Sequence, residues 1–137
     1  MECEQLKALT LLDTTIEIQN KKIPRQPKEN DEGNKEYKRH LKTCNNNITD
    51  FYNKRASQMK YRLYEGNGKA VYMLGVEDNG SVIGLSLDDM ATTIINIKEI
   101  AKIIGANIRN IRIYDGDDGL IATVRLHKED IEFEFIV

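Results

Sequence analysis

Apolar residues recur along the chain in two rhythms. From Ile48 to Glu65, Phe51, Ala56, Met59 and Leu63 fall near one face at helical spacing, and Gly66 offers a C-terminal stop. Ser86 then has the character of a helix cap, with Asp88 and Asp89 in the first turn to suit the helix dipole. Met90, Ile94, Ile97, Ala101 and Ile104 continue it as a buried stripe that Gly105 closes. Between these helices, Ala70 to Leu85 holds two apolar runs around Asp78-Asn79-Gly80. Asn-Gly is a strong hairpin signal, and the runs alternate little, so they predict a hairpin of two central strands. Lys35 to Leu41 predicts a strand with Tyr37 among charged neighbours, and Thr43 to Asn47 a polar loop. Asn107 to Tyr114 predicts a strand and Asp115 to Gly119 a turn, with two further strands at Leu120 to Leu126 and Ile131 to Val137. Upstream, Leu6, Leu9 and Leu12 suit a short helix over Glu2 to Leu12, whereas Thr14, Thr15, Ile16 and Ile18 favour extension. Lys21 to Asn34 is polar and carries Pro24, Pro27 and Gly33, the pattern of an extended linker. Residues 1–34 are therefore expected to form an arm and 35–137 a single α+β domain. Its expected order is β-α-β-β-α-β-β-β: a two-layer α/β sandwich, a mixed sheet of about five or six strands carrying two main helices.

Composition narrows the class. The chain has 137 residues, 40% hydrophobic and 31% charged, which suits one domain with a real core. No run approaches the roughly 18 apolar residues of a membrane span. Glu2, Glu4 and Lys7 interrupt any secretory core after Met1. Cys3 and Cys44 lack the spacing of a zinc site, so reduced thiols and a cytoplasmic location are expected. On that reading the sequon at Asn47-Ile48-Thr49 is incidental.

Charge changes the picture more. Between Lys35 and Arg62 lie eight basic residues, namely Lys35, Lys38, Arg39, Lys42, Lys54, Arg55, Lys60 and Arg62, against the acids Glu36 and Asp50. With a formal net charge of -2 overall, that segment stands at +6 and the remainder at -8. Phe51, Tyr52, Tyr61 and Tyr64 are interleaved with the helical cations. Cations neutralise phosphates and tyrosines stack on bases, so these eight residues are the candidate RNA- or ribosome-binding set. The same pattern also fits a solvated helix face with its aromatics in the core. A second constellation is Asp31, Glu36, Lys38 and Asp78. Carboxylates on neighbouring strand ends could hold a divalent ion and polarise a phosphodiester, although Asp78 is equally suited to a turn and the others to the surface. Asp115-Gly-Asp-Asp-Gly119 has the oxygen-rich look of a calcium loop but lacks the twelve-residue frame. Neither GxxxxGK[ST] nor GxGxxG occurs, and no Ser or Cys has a triad context, so no cofactor and no bound nucleotide are expected.

Three stretches carry a family resemblance: EGNKEYK (Glu32 to Lys38), QMKYRLYEGNGKAVYMLGVEDNGSVIGL (Gln58 to Leu85) and DDMATTIINIKEIAKIIGANI (Asp88 to Ile108). Together they resemble the N-terminal domain of the GTP-binding-protein-1/2 family, translational GTPases related to elongation factor 1A. The resemblance covers roughly residues 31–137. In that family the domain leads into a GTPase domain with its phosphate-binding loop. Here the chain ends at Val137 without one, so a free-standing domain is expected. The resemblance implies contact with the translation machinery without GTP hydrolysis. More distantly, Glu-x-Lys on a first strand followed by an apolar strand and hairpin is similar to the Schlafen-type fold, some of whose members are RNA endonucleases. Asp31, Glu36, Lys38 and Asp78 would be the catalytic set on that likeness.

The leading expectation is thus a non-enzymatic ribosome- or RNA-associated factor, one that represses translation or serves ribosome dormancy by occupying a ribosomal site. Its expected partners are the ribosome, through rRNA and ribosomal proteins, and tRNA as a further candidate; no membrane is expected. The alternatives are a metal-dependent RNA endonuclease and a protein-interaction module pairing through an open strand edge.

Overall fold

The computed structural model describes residues 13, 15–43 and 47–129. Its elements are β1 (Ile16–Lys22), β2 (Lys35–Lys38), α1 (Ile48–Glu65), β3 (Lys69–Leu74), α2 (Leu87–Ile104), β4 (Asn107–Asp115) and β5 (Leu120–His127). The five described strands form one sheet in the order β1-β4-β5-β3-β2. Its centre is antiparallel, and both edge strands pair in parallel with their neighbours. The expected α+β fold of two helices on a mixed sheet is therefore present.

Local chemistry sets the helices. The Asn47 side chain caps α1 by accepting from the Asp50 amide at 2.9 Å. Ser86 caps α2 in the same way, accepting from the Asp89 amide at 3.1 Å, with Asp88 and Asp89 in its first turn. Gly105 ends α2 at φ +71°, a left-handed conformation that costs glycine little. Both helices bury their apolar stripes against one face of the sheet. Met59 and Leu63 of α1 and Met90, Ile97 and Ile100 of α2 meet Leu74, Ile111, Ile113 and Val124 in the main core. The Asp13 carboxylate pairs with Lys98 and accepts from the Thr15 amide, fixing the entry to β1 over α2.

Two departures from the expected layout have physical causes. The first is the hairpin. The first apolar run is β3, but 76–85 forms no second long strand beside it; Leu85 makes a single bridge to Leu120. Gly75, at φ +84°, turns the chain out of the sheet where a Cβ would meet the Leu120 carbonyl oxygen at 2.8 Å. The loop then lies on the sheet's second face, where Val76 and Val82 pack with Tyr37, Met73 and Ile121. Lack of polar alternation here marked a covering loop, not a central strand. The turn also differs from the mirror-image type that Asn-Gly suggested. Gly80 has φ +94°, yet Asn67 is the one non-glycine with positive φ among the described residues, so Asn79 keeps an ordinary backbone.

The second departure lies in residues 1–34. Ile16–Lys22 is an edge strand, in register with β4 through Ile16 opposite Ile111 and Ile18 opposite Ile113. Ile16 and Ile18 face the main core, which decided the matter in favour of extension. Residues 23–29 then cross the loop tip: Gln26 donates to the Gly80 carbonyl at 2.9 Å and Glu29 to the Asp78 carbonyl at 2.7 Å. Pro24 and Pro27 have no amide to offer, and the donors come from the residues between and after them. Residues 16–29 are thus packed onto the domain, not held away from it as a linker would be. The predicted helix over Glu2 to Leu12, the predicted strand over Ile131 to Val137, Cys3 and Cys44 lie outside the described residues. Among the described residues no helix is long and apolar enough to cross a membrane.

Candidate nucleic-acid interface

Of the candidate carboxylates, Glu36 alone serves a buried charge cluster. Glu36 lies opposite Tyr72 in the register and is 2% exposed. Arg62, in the last turn of α1 and 4% exposed, donates from Nε to Glu36 Oε1 at 2.8 Å and from Nη1 to the Gly33 carbonyl at 3.0 Å. Lys38 Nζ lies 3.4 Å from Glu36 Oε2. Glu29 Oε2 accepts the Tyr37 amide on the open edge of β2 and stands 3.9 Å from Arg62 Nη2. Burial raises the Glu29 pKa, with Glu36 and Asp78 adding to it, while the Tyr37 amide and Arg62 oppose the shift. Burial also drives the Tyr72 phenol upward, with Glu36 as the next cause.

Asp31 and Asp78 are both exposed, and their backbone carbonyls accept from Tyr61 and Glu29. The structure therefore brings Glu36 and Lys38 together but makes an ion pair of them, with Arg62 filling the space a cation would need. Among the described residues no three His, Cys, Asp or Glu side chains form a group able to hold a metal ion. That holds too for Asp115 to Gly119, which closes the β4–β5 hairpin through Gly116 donating to Gly119 at 2.7 Å. Glu29 was missed because it sits in a proline-bearing stretch without periodicity, where no sequence signal marks burial.

The eight basic candidates divide. Arg62 is inside the protein and unavailable to a ligand. Arg55 stacks its guanidinium over Phe51 at 4.7 Å, and its Nε is buried without a partner. Lys54 pairs with Asp50 at 3.3 Å and Lys42 with Asp89 at 3.3 Å, both in water. Lys35 and Arg39 are exposed, Lys60 is half-buried, and Lys38 is tied to Glu36. The helix surface thus carries less free positive charge than its sequence suggested.

Other cations gather elsewhere. Among the described residues, the 76–85 loop covers the sheet's second face over Tyr37, Met73 and Ile121, with Ile23, Val71 and Tyr114 packed at the margin of that cluster. Beyond the loop, one register row runs Asn110, Arg125, Val71, Lys35 across four strands. A neighbouring row runs Glu17, Arg112, Thr123, Met73, with Arg112 Nε 3.9 Å from Glu17. Sequence reasoning passed over Lys69, Arg109, Arg112 and Arg125, because they are spread over three strands and form no run. The one available signal was their placement at solvent-facing strand positions.

The chain is 41% identical over 98 residues to GTP-binding protein 2 of Homo sapiens, and to the same degree to that of Mus musculus. The match covers 69% of this chain and 16% of each relative, so the chain spans a small part of their length. It is also 32% identical over 112 residues to an uncharacterized protein of Acanthamoeba polyphaga mimivirus, covering 78% of this chain and 59% of that one. The resemblance carried by the three motif stretches is borne out by the first two matches. No family model matches the chain, and no solved structure does.

Proposed function

We propose, from the premise that this domain is related to a segment of GTP-binding protein 2, that the chain is a non-enzymatic, translation-associated factor that binds RNA or the ribosome. The kinship is the observation that carries the reading. The surface supports it: cations outnumber acids on the uncovered sheet face and on the segment from Lys35 to Lys60. With no phosphate-binding loop motif in its sequence, the chain is assigned no GTP hydrolysis. With Glu36 neutralised by Arg62 and Lys38, it is assigned no metal-dependent cleavage either. A domain that occupies a ribosomal site would block factor or tRNA access, and repression or dormancy is the finer form of the proposal.

Sedimentation with ribosomes at low salt tests it. The protein is expected in the ribosomal fractions, leaving them as salt is raised. A protein that stays at the top of the gradient overturns the reading. In a cell-free translation reaction, yield should fall as ribosome occupancy rises; full occupancy with unchanged yield removes the repressor role. RNA incubated with the protein and Mg²⁺ or Mn²⁺ should stay intact, and cleavage that Asp78→Ala or Glu36→Gln abolishes would restore the endonuclease.

A further inference from the structure

A groove of about 560 Å³ lies on the uncovered sheet face, between the end of β3 and the paired ends of β4 and β5. Its walls carry Lys69, Arg109, Arg125, His127, Asn34 and Asn110. None of its lining residues is acidic. Lys69, Arg109 and Arg125 are exposed, and among the described residues no ion pair engages their side chains. That sets them apart from Lys42, Lys54 and Arg62, each of which is matched to an acid. The β4 register shifts between Ile108 and Asn110, so Arg109 is the extra residue of a bulge. Bulges re-aim a side chain out of the alternating pattern. Asn110 Oδ1 is buried with no hydrogen-bond partner, so the groove wall holds an acceptor the fold leaves unsatisfied.

We infer that this groove is an RNA-backbone site, in which Lys69, Arg109 and Arg125 neutralise successive phosphates. Guanidinium groups match phosphate oxygens in bidentate geometry, and two of the three cations are arginines. The groove has no Phe, Tyr or Trp, and His127 is its one aromatic ring, so the binding reads chiefly backbone and not base identity. An acidic peptide would meet the same cations beside Ala70, Val71 and Leu126, so it is the competing occupant of the site. The choice of RNA rests on the translation-associated reading; the position of the site does not.

The test is fluorescence anisotropy with a short unstructured RNA, using the intact chain. Wild type should bind with a log–log salt slope that Arg109→Glu/Arg125→Glu lowers by about 1.4, two phosphates at roughly 0.7 each. Affinity should fall at least tenfold, whereas Lys102→Glu, exposed on α2 across the sheet, should change it less than twofold. The milder Arg125→Gln, with unchanged circular dichroism, should give an intermediate loss and so exclude misfolding as the cause. Binding that is indifferent to the groove variants overturns the inference, as does a glutamate-rich peptide of equal length binding more tightly than RNA. Sedimentation separates the two proposals. Ribosome association that survives Arg109→Glu/Arg125→Glu sinks the groove and keeps the translation reading. Groove-dependent RNA binding without ribosome association does the reverse.

Discussion

Arg62 shows how one residue's role can be inverted by its surroundings. Its charge places it with the cations of a binding face, yet it is 4% exposed and holds two carboxylates and a backbone carbonyl. Removing one partner of a buried ion pair leaves the other uncompensated. Arg62→Ala is expected to cost about 3 kcal/mol in urea denaturation, the lower end of the range for a buried pair. Lys38 moderates the loss, since it remains 3.4 Å from Glu36. Lys54→Ala, breaking an exposed i,i+4 pair, should cost no more than about 0.5 kcal/mol. Glu29 makes a pH prediction. Its pKa is raised from 4.5 in the folded state, chiefly by burial, so the folded protein binds its proton more tightly than the unfolded chain. Its contribution to stability is therefore greatest at acid pH and declines as pH rises from 4.5 through the raised value. The stability of wild type minus that of Glu29→Gln should fall across that window in a denaturation series. A difference that rises with pH would refute the assignment.

Between residue and fold, the crossing of residues 23–29 over the 76–85 loop is the element the sequence hid best. Its contacts are backbone hydrogen bonds, which no side-chain pattern announces. Gly80 permits the approach: it has φ +94°, and a Cβ there would meet the Gln26 carbonyl oxygen at 1.9 Å. Gly80→Ala should cost about 1–3 kcal/mol and speed hydrogen exchange at the Gln26 and Glu29 amides. Gly33 is a control, because it has φ +91° but a Cβ there would meet nothing within 4 Å. Gly33→Ala bears backbone strain alone, and the difference between the two variants isolates the crossing contact. The helices are the opposite case. Their stripes and stops and the Ser86 cap were legible in the sequence, because helix ends are fixed by local chemistry within one turn, whereas the Asn47 cap was read as loop.

At the scale of the molecule, the edge strands β1 and β2 of the described sheet each pair in parallel with a neighbour. Glu29 occupies the Tyr37 amide on the outer edge of β2. On the other side β1 covers β4, and β5, central in the order, offers no open edge to a partner. A chain beginning at Ile23 would uncover the β4 edge. It is expected to elute as dimers or aggregates in size-exclusion chromatography where the full chain does not. A monodisperse, equally stable truncated protein would show that β1 is dispensable. The charge of the whole molecule is likewise arranged by topology. Half of the basic segment seen in sequence, Lys38, Lys42, Lys54 and Arg62, is matched to acids, and the groove cations Lys69, Arg109 and Arg125 come from β3, β4 and β5, far apart along the chain.

The sequence by itself determined the fold class, both main helices with their ends, strands β3, β4 and β5, and the kinship with GTP-binding protein 2. These depend on periodicity, caps and extended motif identity, which are properties of contiguous residues. The tertiary structure alone decided that Glu36 and Arg62 neutralise each other inside the protein, that Glu29 joins them, and that 76–85 covers a sheet face. It also decided that Lys69, Arg109 and Arg125 share a groove. Each of those facts depends on strand order and register, which set residues distant along the chain side by side and which no local rhythm encodes.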